Sequence, residues 1–153
     1  MKIKISVIIP TWKRVDILKE VIESLLIQDY PKNDFEIIIC DSESKDGTDE
    51  LIKSYQENNA DFNIRLINSS INAQSIKRND GAKSAKSDIL IFLDDDVIPS
   101  KNLLNEYYNA HKNSKNVVFI GLSLFSNKRA EKSNFLRYRN NNIAIEFYNE
   151  HNN

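Results

Sequence analysis

Apolar positions along this chain follow two alternating patterns. Ile3, Ile5, Val7, Ile8 and Ile9 form a β-branched run stopped by Pro10, which predicts a first strand buried on both faces. Val15, Leu18, Val21, Ile22, Leu25 and Leu26 then recur at helical spacing, with Lys13, Arg14, Asp16, Lys19, Glu20 and Glu23 on the other side. An amphipathic helix therefore follows directly, with Thr11 as its expected N-cap. A turn at Tyr30-Pro31 leads to a second apolar run from Phe35 to Cys40, ending at Asp41. The stretch from Asp41 to Thr48 that comes next is dense in turn and cap formers.

The cycle then repeats. The pattern predicts a helix from about Thr48 to Asn58, a strand through Ile64 to Ile67, a helix from about Ala73 to Lys86, and a strand from Ile89 to Leu93. Pro99 or Ser100 opens a further helix through Leu103, Leu104 and Tyr107, and Val117 to Leu124 supplies one or two more strands. Strands and helices alternating at these lengths define an α/β, Rossmann-like fold, with a mostly parallel sheet and helices on both faces. The tail, residues 127–153, is rich in Asn and charge with weak periodicity, and reads as helix or loop.

Composition narrows this picture. At 153 residues, 41% hydrophobic and 28% charged, the chain is long enough for one domain with its own core. Twenty-one Lys plus Arg against 22 Asp plus Glu leave a formal net charge of -1, which gives no bulk attraction to nucleic acid or anionic lipid. A lone cysteine, Cys40, excludes an internal disulfide and suits a reducing, cytoplasmic setting. Met1 to Pro10 lacks the features of a signal peptide, and the apolar runs Ile89–Leu93 and Val117–Gly121 fall far short of the ~18 residues of a membrane span. Peripheral association with the inner face of a membrane is left open.

Ligands of open parallel sheets bind outside the carboxyl ends of the strands. Three polar clusters stand there: Pro10-Thr11-Trp12-Lys13-Arg14 after the first strand, Asp41-Ser42 after the second, and Asp94-Asp95-Asp96 after the strand ending at Leu93. All three are expected on one rim. Consecutive aspartates repel one another, and a divalent cation is the economical compensation. Carboxylates suit Mg²⁺ or Mn²⁺, which typically take one or two of them and fill the remaining positions with phosphate oxygens and water. That chemistry points to a phosphorylated or nucleotide ligand, although an acidic loop capping the next helix would use the same residues. Trp12 offers a stacking face or ordinary packing. Lys77 and Arg78 are either a solvated basic face or, for Arg78, a reach toward a diphosphate. His111 and His151 have no partner pattern, and Cys40 reads as a packed thiol.

Val7 to Arg14, Phe35 to Ser42 continuing through Asp46-Gly47-Thr48, Arg78-Asn79-Asp80-Gly81, and Phe92 to Asp96 resemble, in order and spacing, the nucleotide-sugar-binding half of family 2 glycosyltransferases. The resemblance covers about residues 3–125. It implies a GT-A fold over residues 1–126, with residues 127–153 a divergent tail at the start of an acceptor region. It also implies a nucleoside-diphosphate sugar donor, typically a UDP-sugar, a glycan or other hydroxyl acceptor, and Mn²⁺ or Mg²⁺. By position, Pro10, Thr11 and Trp12 line the base and ribose pocket with Arg14 beside them, Asp41 accepts a hydrogen bond from the base, and Arg78 lies near the diphosphate. Asp94 and Asp96 match the outer aspartates of the family's DxD motif, with Asp96 the direct metal ligand, Asp94 nearer ribose or metal, and Asp95 between them in the donor site.

Departures are visible too. Lys13 stands where Asn is frequent and Glu43 where Gly is frequent, so the turn after the second strand is expected to differ in shape. An inverting member needs a carboxylate general base downstream, and Glu106, Glu131, Glu146 and Glu150 lack the matching context. The expectation is a shortened or truncated chain with the donor site present and the base missing. Two other readings use the same residues. One is a non-catalytic nucleotide-binding module. The other is a haloacid-dehalogenase-like phosphatase, with Asp94 as nucleophile and Asp96 as acid/base, although that motif normally ends the first strand.

Overall fold

A computed structural model describes residues 2–59, 61–112, 114 and 116–124. Contacts divide the chain into two units, 1–117 and 118–153. In the first unit the elements run β1 (Ile5–Pro10), α1 (Val15–Leu26), β2 (Phe35–Asp41), α2 (Thr48–Asn58), β3 (Asn63–Asn68), α3 (Gln74–Ser84), β4 (Leu90–Phe92) and α4 (Leu103–His111), with one 3₁₀ turn at Lys32–Asp34. The sheet is parallel throughout, in the order β3-β2-β1-β4. The α/β fold with helices on both faces is therefore present.

Period-two alternation distributes the side chains of β1 and β2 between two cores. Ile5, Val7, Ile9, Ile37 and Ile39 pack with Leu18, Val21, Ile22 and Leu25 of α1, Ile52 of α2 and Leu104 of α4. Ile8, Ile38 and Cys40 form the opposite core with Ala82 and Ala85. Gly81 lets α3 approach that face closely: a Cβ there would stand 2.4 Å from Ile8 Cγ2 and 2.9 Å from Cys40 Sγ. The N-terminal half of the sheet holds a buried polar group, Glu36, which accepts from Ser6 Oγ (2.8 Å), Lys86 N (2.7 Å) and Arg65 Nε (3.0 Å). Burial pushes its carboxyl up, but the Lys86 amide, the Ser6 hydroxyl and Arg65 outweigh burial and hold it below the usual range.

Several expectations are corrected. Val117 to Leu124 is not a strand but irregular backbone, since an apolar β-branched run specifies a strand only weakly. α4 begins at Leu103 rather than Pro99 or Ser100, where a turn carries the Leu103 amide to the Ser100 carbonyl. β4 is a three-residue strand, shorter than the predicted Ile89–Leu93, with Phe92 half exposed. Thr11 does not cap α1. The N-cap position is Arg14, and the Val15 amide donates instead to Asp46 Oδ2 (3.1 Å), a cap supplied by the β2–α2 loop. Residues 127–153, with Glu131, Glu146, Glu150 and His151, lie outside the described residues.

Candidate functional site

The carboxyl ends of β1, β2 and β4 meet on one rim, because the three strands are adjacent and parallel. Side chains from three separated segments interlock there. Thr11 Oγ1 donates to Asp95 Oδ2 at 2.8 Å, Arg14 Nη1 to Asp95 Oδ1 at 3.0 Å and to Asp96 Oδ2 at 3.2 Å, and Arg78 Nη2 to Asp94 Oδ1 at 2.6 Å. Thr11 and Asp95 are buried, whereas the side chains of Arg14, Asp94 and Asp96 are about half exposed. The charge of Asp95, its hydrogen bond and the nearby Asp96 hold Arg14 firmly protonated.

This arrangement changes the reading of the aspartate run. The mutual repulsion of Asp94, Asp95 and Asp96 is answered by Arg14 and Arg78, so repulsion alone does not require a metal ion. Asp95 is a structural anchor. Asp94 and Asp96, flanking it, present outward carboxylates from a single turn.

Asp41, at the end of β2, is fully buried. The Ser44 amide donates to its Oδ2 at 2.8 Å and the Ser44 hydroxyl to its Oδ1. Ser44 Oγ in turn accepts from the Lys13 amide at 2.8 Å, which fastens the β2–α2 turn to the loop after β1. The turn through Ser42–Ser44 thus closes over Asp41. That turn keeps a glycine-like shape without glycine, since Glu43 sits at φ 50° and Lys45 at 52°. Lys13, at φ 54°, likewise takes the left-handed conformation that Asn tolerates. Glu43 thus holds a left-handed backbone conformation that glycine adopts more readily.

Pro10 is buried at the end of β1. Trp12 is 44% exposed, with Lys13 Nζ 4.8 Å from its ring centroid. Two contributors went unread in the sequence. Lys77 is not part of a solvated face: it is 2% exposed, and its Nζ donates to the Thr11 carbonyl and to Asn72 Oδ1, both at 2.7 Å. Burial pulls its ammonium pKa down, against the opposing charges of Asp41 and Asp95. Asn72, in the loop before α3, is the second. Cys40, buried behind Asp41, has its thiol pushed up to about 11 by burial, which fits a packed thiol.

Glu106 lies in the first turn of α4, exposed and accepting from Asn102 Nδ2. Among the described residues no three His, Cys, Asp or Glu side chains gather to enclose a metal ion, and no helix is long and apolar enough to cross a membrane. The paired outer carboxylates still fit an open Mg²⁺ or Mn²⁺ site of the kind that borrows its remaining ligands from phosphate and water.

A parallel α/β sheet with its polar clusters gathered on the carboxyl rim is an open α/β fold, whose ligands bind at that rim. The chain matches the model of glycosyl transferase family 2 over residues 6–152, and it belongs to that family. It is 32% identical over 135 residues to a poly(ribitol-phosphate) beta-glucosyltransferase of Bacillus spizizenii, a match that covers 86% of this chain and 21% of the relative. Among solved structures it resembles Staphylococcus aureus TarS 1-349 in complex with UDP, with a TM-score of 0.64 and 26% identity over 81% of this chain and 40% of that one. It also shares its fold with a Pyrobaculum calidifontis mannosyltransferase in complex with GDP-Man and Mn²⁺, with a TM-score of 0.62 and 24% identity over 68% of this chain and 31% of that one. The architecture is that of GT-A glycosyltransferases. The chain thus spans well under half the length of these proteins. Family membership sets aside the phosphatase reading of Asp94 and Asp96.

Proposed function

We infer that this chain carries the donor site of a glycosyltransferase that moves a sugar from a nucleoside-diphosphate sugar, a UDP-sugar, to a glycan or other hydroxyl acceptor. The observation that carries the reading is the convergence of Thr11, Arg14 and Arg78 on Asp94–Asp96 at the carboxyl rim of a family 2 fold. The UDP complex of TarS and the poly(ribitol-phosphate) relative support the donor and the polymeric acceptor.

In this site the base and ribose lie against Pro10, Thr11 and Trp12. The base donates to Asp41 once the Ser42–Ser44 turn opens. Arg78 exchanges Asp94 for the diphosphate, and Arg14 keeps Asp95 in place. Asp96, with Asp94, would hold Mn²⁺ or Mg²⁺, which supplies Lewis-acid stabilisation of the negative charge on the leaving diphosphate. The reaction is inverting: the acceptor oxygen bonds to the anomeric carbon as the bond to the diphosphate breaks, and the acceptor proton passes to a carboxylate base. No general base is identified among the described residues, and Glu131, Glu146 and Glu150 lie outside them.

Calorimetry of UDP binding with and without Mn²⁺, on the chain and on Asp96→Ala, tests this reading. Binding that needs both Mn²⁺ and Asp96 is the expected result. A folded chain that binds no UDP under either condition refutes the donor site.

A further inference from the structure

Lysine is among the residues least often fully buried, and a buried ammonium is retained only where its protons are satisfied and its charge is balanced. On this rim two of the three Lys77 ammonium protons have close acceptors, and its charge is opposed. One of its protons goes to the Thr11 carbonyl and one to Asn72 Oδ1, each at 2.7 Å. Asp41 and Asp95, both buried, are the opposing charges. The ammonium therefore ties three segments into one wall: α3, which carries it; the loop before α3, through Asn72; and the end of β1, through the main chain of Thr11.

The Thr11 tether has a specific consequence. Thr11 donates its hydroxyl to Asp95 and immediately precedes Trp12. A fixed Thr11 carbonyl sets the direction in which the chain leaves β1, and with it the placement of the exposed Trp12 ring. Lys77 itself is too buried to offer a ligand more than a sliver of surface. Its charge also opposes those of Asp41 and of Asp95, the latter already paired with Arg14.

We propose that Lys77 is a positioning residue of the nucleotide site: by clamping the Thr11 carbonyl to Asn72 it orients the Thr11–Trp12 platform on which the nucleoside rests, without contacting the diphosphate. The proposal rests on the donor-site reading above.

The test uses Lys77→Met, which keeps the length and apolar stem of the side chain but removes the ammonium. Calorimetry with UMP and with UDP, both with Mn²⁺, is paired with thermal melts of each variant. Removing the clamp is expected to weaken binding by about tenfold or more. The platform role predicts that UMP and UDP lose affinity by the same factor, because the defect lies under the nucleoside. A loss confined to UDP would mean direct contact with the diphosphate and would overturn the proposal. So would lowered melting temperature with unchanged affinity, which marks a purely structural lysine.

If Lys77→Met does not fold, Asn72→Ala takes its place, since Asn72 is exposed and holds only one side of the clamp. The same equal but smaller loss for both ligands is then expected, and unchanged affinity overturns the proposal. Failure of the wild-type chain to bind UDP at all would fell the donor-site reading and this proposal with it. Binding by wild type with no change in either variant fells only the proposal.

Discussion

Replacing Gly81 by alanine probes the link between helix packing and the site. In an exposed helix interior the change would stabilise by about 0.5–1 kcal/mol through reduced backbone entropy. Here the new methyl would stand 2.4 Å from Ile8 Cγ2, 2.9 Å from Cys40 Sγ and 3.4 Å from Ile8 Cγ1. Ile8 is fully buried between strands, β-branched and stiff, so it has little room to rotate away. Overpacking of this kind costs about 1–3 kcal/mol. The two effects leave a net loss of about 1–2 kcal/mol, relieved by α3 moving outward. Lys77 and Arg78 stand one turn earlier on the same helix, so that movement also lengthens their bonds to Thr11 and Asp94. Urea unfolding at unchanged m-value reads the stability, and UDP titration reads the site; both should fall. Ile8→Ala removes the obstructing atoms, so the Gly81→Ala penalty should shrink in that background. Equal or greater stability of Gly81→Ala in the wild-type background would refute the close-approach argument.

Four further outcomes follow from the same geometry. Arg65→Met leaves Glu36 buried beside Ser6 and Lys86 without its cation, and should cost about 3 kcal/mol in chemical denaturation. Because the Glu36 carboxyl is held below its ordinary value, its stabilising contribution is complete above the unfolded value of about 4.3 and is lost as pH falls through the lower folded value. The stability gap between wild type and Glu36→Gln should therefore narrow on acidification, and a gap that widens would contradict the assignment. Glu43→Gly, at φ 50°, should gain about 0.5–1 kcal/mol, because the strain relieved exceeds the added freedom of the unfolded chain. Thr11→Val leaves Asp95 Oδ2 without its buried donor and should cost about 1–3 kcal/mol, with weaker UDP binding.

The sheet was legible wherever burial on both faces wrote a continuous apolar run, as in β1 and β2. Adjacent helices with a clear apolar stripe, α1 above all, were legible for the same reason. Edge features were harder. β4 carries an apolar run, yet Ile91 points into the core while Phe92, on the other face, is half exposed; the run at Val117 to Leu124 looks like a strand but is irregular. Capping misled because Thr11 has the right residue type and the right place, while its actual partner, Asp95, is 84 positions away.

In the site, the three clusters at the strand ends could be placed on one rim because parallel order forces them together. Which charge answers which could not be read. Arg14 and Arg78 reach the aspartates across long stretches of chain, and spacing alone carries no record of that pairing. Lys77 was hidden more completely: α3 is polar along most of its length, so nothing in its periodicity marks the one lysine that faces inward. A small residue one turn later, Gly81, was the available hint that this side of α3 presses against the sheet.

Amide chemical-shift mapping of the chain titrated with UDP in the presence of Mg²⁺ tests the donor-site claim most directly. The account predicts shifts concentrated at residues 11–14, 41–44, 72–78 and 94–96, with little change at the amino ends of the strands. Shifts centred elsewhere, or none at saturating UDP in a folded chain, would contradict it.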